Sequence, residues 1–279
     1  MYAFTMVILA LVLPVTTEAQ PVAADAQQAF AKATAHFDKN ENDQALAAYD
    51  LAIKLDPSKA EYSVGRGRTL ARLRRYDEAF AAYGEALKLA PNDAMTLRYR
   101  GHNYINVGKL DLALADLTKA ESAKKDDFGI YYHLALAYYL TGRYADAAQA
   151  YDGCVRTSKT DGDRVACWAW QYPSLVRSGR TAEADAILTK VAPGMEVGEN
   201  APYLDRLLLF KGTKTEDQVA AGLRANALDV STAAYGLGLW HLLNSRPQEA
   251  KAYFQKATSS DAWQSFGYIA AATELKGMK

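Results

Sequence analysis

The chain of 279 residues has two cysteines and four histidines, and its 32 basic side chains are matched by 32 acidic ones. Each shortage removes a class of function. Two cysteines cannot build a disulfide-rich scaffold or a cysteine-based zinc site. The histidines are His36, His102, His133 and His241, and no two stand four residues apart, so a helix-borne metal pair is excluded. Balanced charge gives no global pull toward nucleic acid or an anionic membrane surface. Gly65-Arg66-Gly67 lies inside a helical segment and lacks the rest of a phosphate loop. No nucleophile elbow is present, and the carboxylates are scattered along solvated helix faces. The composition therefore reads as non-catalytic, with no cofactor and no metal.

Long apolar runs are scarce too. Residues 1–15 are almost wholly apolar and are broken by Pro14. That run is shorter than the roughly 20 residues needed to span a bilayer. Small residues follow at Thr17 and Ala19, and again at Val22 and Ala24, both fitting the small-x-small cleavage rule. The expectation is an export signal over residues 1–19, with cleavage as late as 24. The mature chain would then have no integral membrane span and would be periplasmic or secreted. No Lys or Arg precedes the apolar run, and no Cys stands at the cleavage point to carry a lipid.

What is present is a repeat. Ala45, Ala79, Ala113 and Ala147 stand 34 residues apart in succession. Four residues beyond each come Tyr49, Tyr83, Leu117 and Tyr151, and three further on Ala52, Ala86, Ala120 and Cys154. Positions i, i+4 and i+7 share one helix face, so each set alternates small, large and small on that face. A second helical segment lies upstream in every period, small at Gly67, Gly101 and Ala135 where helices would touch. Short turns with Gly or Asn join the two, and Pro57 and Pro91 close the first two periods.

These residues resemble tetratricopeptide repeats, whose unit is a 34-residue helix–turn–helix. The resemblance implies an all-α, right-handed superhelical solenoid of helix pairs with a C-terminal capping helix. Four regular repeats are expected over residues 26–161 and a divergent fifth over 165–198. A degenerate pair at 199–230, a sixth repeat at 231–260 and a capping helix at 261–275 complete the expected order. The fifth period is three residues longer, which places an insertion in the loop from Thr157 to Arg164. Asp261 is expected to cap the last helix. The stretch from Cys167 to Leu275 also resembles the C-terminal half of NlpI-type lipoproteins. That implies an exported adaptor gathering proteases and cell-wall hydrolases, although such proteins carry a lipobox cysteine that this chain lacks.

The family binds extended or helical peptides on the concave stripe of its first helices, so a protein or peptide partner is implied here. On this stripe the candidate groove residues are Phe30, Phe37, Arg68, Arg72, Arg98, His102, Tyr132, Leu136, Tyr139 and Tyr235. Arg68, Arg72, Arg98 and His102 would form a basic patch suited to an acidic segment or a C-terminal carboxylate. The helix around Tyr132, Leu136 and Tyr139 is apolar nearly all round and needs a cover on more than one side. Either a partner peptide supplies it or the chain's own C-terminal region does. Cys154 and Cys167 can form a disulfide in an oxidising compartment or stay as two buried thiols. The leading expectation is an exported adaptor of cell-envelope complexes. The alternative is an envelope protein that self-associates, for example as a homodimer.

Overall fold

The computed structural model describes residues 19–278 except 225 and 260, and among these it is built of helices and connecting turns, with no strand. The expected export segment falls mainly on residues 1–18, outside the described residues. Two compact units divide the chain, one of residues up to Pro91 and one from Asn92 onward. The N-terminal unit contains α1 (Ala19–Asp38), α2 (Asn42–Leu55), α3 (Ala60–Arg72) and α4 (Tyr76–Leu89). The C-terminal unit begins with α5 (Ala94–Asn106), α6 (Leu110–Ala123), α7 (Phe128–Leu140) and α8 (Tyr144–Thr157). It continues with α9 (Asp161–Arg177), α10 (Thr181–Thr189), α11 (Ala201–Lys211) and α12 (Glu216–Ala220). It ends with α13 (Ala227–Leu243), α14 (Pro247–Thr258) and α15 (Phe266–Gly277).

One turn is reused between paired helices. Asn40, Arg74, Gly108, Gly142, Gly179 and Ser245 all have positive φ, between 56° and 79°. Just beyond each, a backbone N–H reaches back to the last helical turn, as in Glu41 to His36, Lys109 to Tyr104 and Arg246 to His241, each at 2.9 Å. This left-handed cap satisfies carbonyls that the helix end leaves without partners. It also reverses the chain sharply enough for the next helix to pack against the last.

Pair packing follows the small–large alternation of the sequence. Ala45, Ala79, Ala113 and Ala147 are each 0% exposed, which lets neighbouring backbones approach. Tyr83 lies on Gly67 so closely that a Cβ there would stand 2.7 Å from its ring. Leu117 on Gly101 and Phe254 on Gly238 repeat the contact at the same offset along the chain. Burying such a large side chain contributes about 2 kcal/mol. The same unit of packing therefore recurs in both halves.

Three expectations about boundaries are corrected. The loop after Thr157 is short, because Thr160 and Asp163 form a reciprocal capping box that starts the next helix at once. The extra residues lengthen α9 to 17 residues, against 13 in α3, α5 and α7. Helix α12 is capped by Thr215 and Gln218, but it stops at Ala220 and passes into a 3₁₀ turn ending at Arg224. The sixth repeat, expected from 231, begins earlier: the Asn226 side chain accepts from the Asp229 N–H and caps α13, which starts at Ala227. The last helix starts at Phe266. Its cap is Ser265, whose hydroxyl accepts from the Tyr268 N–H at 3.1 Å, while Asp261 stays outside. Among the described residues no helix is long and apolar enough to cross a membrane.

Candidate functional site

The first-helix stripe of the N-terminal unit is partly open. Gln27 and Glu61 are exposed, and Thr34, Val64, Arg68 and Ala71 are half-buried. Phe37 is only 4% exposed and forms a floor for two cations. The Arg72 guanidinium lies 3.4 Å from its ring centroid and that of Arg68 4.6 Å. Arg72 also donates to the Phe37 carbonyl at 2.6 Å and to Asn40 Oδ1 at 3.2 Å. Ring and carbonyl together hold this cation in place. Phe30 is half-buried between Tyr49 and Tyr62, with ring centroids 5.9 and 4.9 Å away. Phe30 and Phe37 are thus packing residues beneath the stripe, rather than its open lining.

The corresponding stripe of the C-terminal unit is filled from within. Tyr132 is 7% exposed, Leu136 0%, Tyr139 3% and Tyr235 0%, so none of them lines an open groove. The cover comes from the chain's own later helices. Phe266 of α15 packs on Tyr132, His133 and His102, with ring centroids 5.7–5.8 Å apart. The Tyr139 and Tyr235 hydroxyls, on α7 and α13, share a 2.8 Å hydrogen bond. Arg177 of α9 is clamped to Glu274 of α15 at 2.7 Å and donates to the Tyr144 hydroxyl at 2.7 Å. Of the two covers left open by the sequence, the internal one occupies this face.

The expected four-residue basic patch is also reduced. His102 stacks on His133 with centroids 4.4 Å apart. Burial first, and the nearby Arg98 second, push its pKa down to about 4. It is neutral at pH 7 and adds no positive charge. Arg98 lies over Tyr99 at 4.6 Å and against Gly129, and its Nε has no hydrogen-bond partner among the described residues. Arg68 and Arg72 belong to the N-terminal unit, Arg98 and His102 to the C-terminal one.

Cys154 of α8 and Cys167 of α9 are joined by a disulfide, with Cα atoms 6.0 Å apart. It ties adjacent helices of the C-terminal unit. The unit also holds a cleft of about 360 Å³ lined by Phe128, Tyr132, Tyr203, Leu228, Thr232 and Phe266. A second one, of about 440 Å³, shares Glu199, Asn200, Tyr203, Leu228 and Thr232 with it. Leu228 is 56% exposed at this shared wall.

Sequence reasoning missed Arg206, which is 1% exposed beside this cleft. Its signal was legible. Tyr203, Arg206 and Phe210 follow the 3, 4 spacing of one helix face, within a run rich in leucine. A lone arginine on an apolar stripe marks a buried charge.

Residues 30–94 and 100–161 match the tetratricopeptide repeat family. No curated protein matches the chain by sequence. Among solved structures, a tetratricopeptide repeat protein from Parabacteroides merdae is similar over 90% of this chain and 99% of its own, at 15% identity and TM-score 0.60. MamA (AMB-1) is similar over 58% of this chain and 94% of its own, at 20% identity and TM-score 0.51. A chain of the APC/C hetero-tetramer Cut9-Hcn1 is similar over 93% of this chain and 44% of its own, at 14% identity and TM-score 0.55. At these identities the likeness is one of fold.

Proposed function

From a chain whose residues 30–94 and 100–161 are tetratricopeptide repeats, we propose a non-catalytic scaffold, exported from the cytoplasm, that holds an acidic segment of a protein partner on the first helices of its N-terminal unit. One observation carries the reading. Arg68 and Arg72 are stacked on the Phe37 ring beside the partly open Val64 and Ala71. Cations already fixed in place lose little freedom on meeting a carboxylate, so they give affinity and register at small entropic cost. The C-terminal unit supports the reading by contrast, since its own helices occupy the equivalent stripe. Cut9 and Hcn1 form a hetero-tetramer, so a stack of such helix pairs can serve a protein assembly. Export rests on the apolar, small-residue-terminated segment at residues 1–19. Service in cell-envelope complexes rests on the NlpI-type resemblance.

The test is site-specific photo-crosslinking in living cells from Val64 and Ala71. Adducts to a partner segment rich in Asp and Glu are expected, and they should vanish when Arg68→Glu and Arg72→Glu are combined. No adduct, or adducts indifferent to charge reversal, would remove the proposal. A reporter enzyme active only outside the cytoplasm, fused after the last residue, should work with residues 1–19 present and fail without them.

A further inference from the structure

Among the described residues of the C-terminal unit Arg206 is the one buried arginine, at 1% exposed, while the Arg177 side chain is 11% exposed and has an acidic partner, Glu274. Arg206, on the inner side of α11, has no acidic partner among the described residues. Its Nε, Nη1 and Nη2 lack hydrogen-bond partners among the described residues. The guanidinium is caged by aromatic rings, with Trp170 at 4.8 Å, Tyr203 at 5.1 Å and Tyr235 at 5.6 Å. Gly236 makes room for its arm, since a Cβ there would stand 3.0 Å from Arg206 Cδ. Cation–ring contacts offset part of the desolvation of a charge, but they give its N–H groups no acceptor. Two more polar atoms nearby are in the same position. The Tyr151 hydroxyl and the Trp170 Nε1–H are buried without partners. The surroundings thus offer a positive charge and several donors, which calls for an acceptor with negative charge and planar oxygens, a carboxylate.

Arg206 lines neither cleft, and the Tyr203 ring stands between its guanidinium and both of them. The Tyr203 hydroxyl accepts from that of Tyr132 at 3.4 Å, a long bond, and Tyr203 itself is only half-buried. At the rim of both clefts the charge has the opposite sign. Glu199 is exposed there, Asp163 lines the first cleft and Asp229 the second. Asp163 and Asp229 already take part in helix caps. A simple anion would be repelled at this rim, whereas a molecule carrying an ammonium group at its other end would be attracted. The walls of the first cleft include Phe128, Phe266 and Leu228, and its volume suits a small ligand with an apolar body.

We infer that this cleft binds a small zwitterion, a free amino acid or a peptide of two or three residues, with its ammonium toward Glu199 and its carboxylate reaching Arg206 as the half-buried Tyr203 ring turns aside. The site is separate from the face of α1 and α3, and neither reading depends on the other.

Calorimetric titration of the full chain at pH 7 tests the assignment with phenylalanine, alanylphenylalanine and dialanylphenylalanine. These separate a free amino acid from a short peptide, and at least one is expected to bind. Its C-terminal amide should bind at least about tenfold more weakly, the N-acetyl form several-fold more weakly. Arg206→Met should lose binding while melting at or above the wild-type temperature, since an apolar replacement for an unpaired buried charge is tolerated. Should that variant fail to fold, Arg206→Lys keeps the charge, loses the planar fork and should weaken binding by about tenfold. Glu199→Gln should weaken the free-amine forms and leave the acetylated form unchanged. No heat from any of the three probes at millimolar concentration with folded protein, or an amide that binds as well as the acid, would overturn the inference.

Discussion

The two units are built from the same helix pair and differ in what covers their first-helix stripe. In the N-terminal unit the stripe retains half-buried Val64, Arg68 and Ala71. In the C-terminal unit Leu136 of α7 and Tyr235 of α13 are 0% exposed, in one apolar cluster with residues of α15. Pair packing does not cause the difference, because Tyr83 on Gly67 and Leu117 on Gly101 make the same contact in the two units. The cause lies in the helices C-terminal to the regular repeats. Once the 34-residue step loosens, the later helices turn their apolar residues onto the stripe of the earlier ones. A repeat array can therefore use part of its own length as the occupant of its own groove.

Removing that occupant is the strongest way to break the contrast. A chain ending after residue 260 should expose Tyr132 and His133, which Phe266 covers, and destabilise the C-terminal unit by on the order of 5 kcal/mol. Increased binding of a hydrophobic dye and rapid proteolysis between residues 92 and 260 are the readouts, while residues up to Pro91 should remain protected. Equal resistance of the shortened and full-length chains would mean that α15 is not the cover.

The covalent tie sharpens the contrast next. Among the described residues, the Cys154–Cys167 bond is the only disulfide, and it lies in the C-terminal unit. Replacing both cysteines with serine should cost this unit about 3 kcal/mol. Denaturant unfolding followed by exchange of backbone amides would assign the loss to one unit or the other.

Acid should also act on one unit more than the other. His102 is pushed down to about 4 in the folded chain, and burial drives its stacked neighbour His133 well below its ordinary value. Unfolding restores the ordinary value near 6.5, so the unfolded chain takes up more protons between these limits. The stabilising contribution is complete above about pH 6.5 and is lost as pH falls toward 4, by up to about 3 kcal/mol for His102. Melting curves from pH 7.5 to 4.5 should fall for the C-terminal unit, and the double change His102→Gln with His133→Gln should flatten the trend. In the N-terminal unit the one described histidine, His36, has a side chain 37% exposed and paired with Glu41 at 2.6 Å.

The smallest effect tests the shared part. Gly67→Ala drives a methyl group into Tyr83 and should destabilise the N-terminal unit by about 2 kcal/mol, because the ring must shift in a packed core. Circular dichroism melting would detect it. A neutral result would show that this tyrosine moves freely, and the pair contact would lose its claim to set the spacing.

Much of this architecture was written in the local sequence. The spacing of Ala45, Ala79, Ala113 and Ala147 encodes the second helices, and Gly108, Gly142 and Gly179 encode turns that need positive φ. Arg74 and Ser245 hold the same turn conformation without glycine, so neighbouring helices, rather than local preference, impose it. The stripe was harder to read. Phe37 and Tyr132 both lie on first-helix stripes, and spacing alone cannot say that one supports two arginines while the other meets Phe266. That depends on contacts between segments far apart in the chain. The apolar surround of Tyr131 to Leu140 showed that α7 needed a cover, although not which one. Arg206 was legible as an anomaly, but only its packed neighbours give it a role.

The hydrogen bond between Tyr139 and Tyr235 joins residues 96 positions apart, and Phe266 reaches His102 across a longer stretch still. This sets an order of events during folding. Helices α1 to α4 can pair as soon as they are free to fold, each with a neighbour adjacent in the chain. The aromatic faces of α5 and α7 must instead wait, uncovered, until α13 and α15 are in place to meet them.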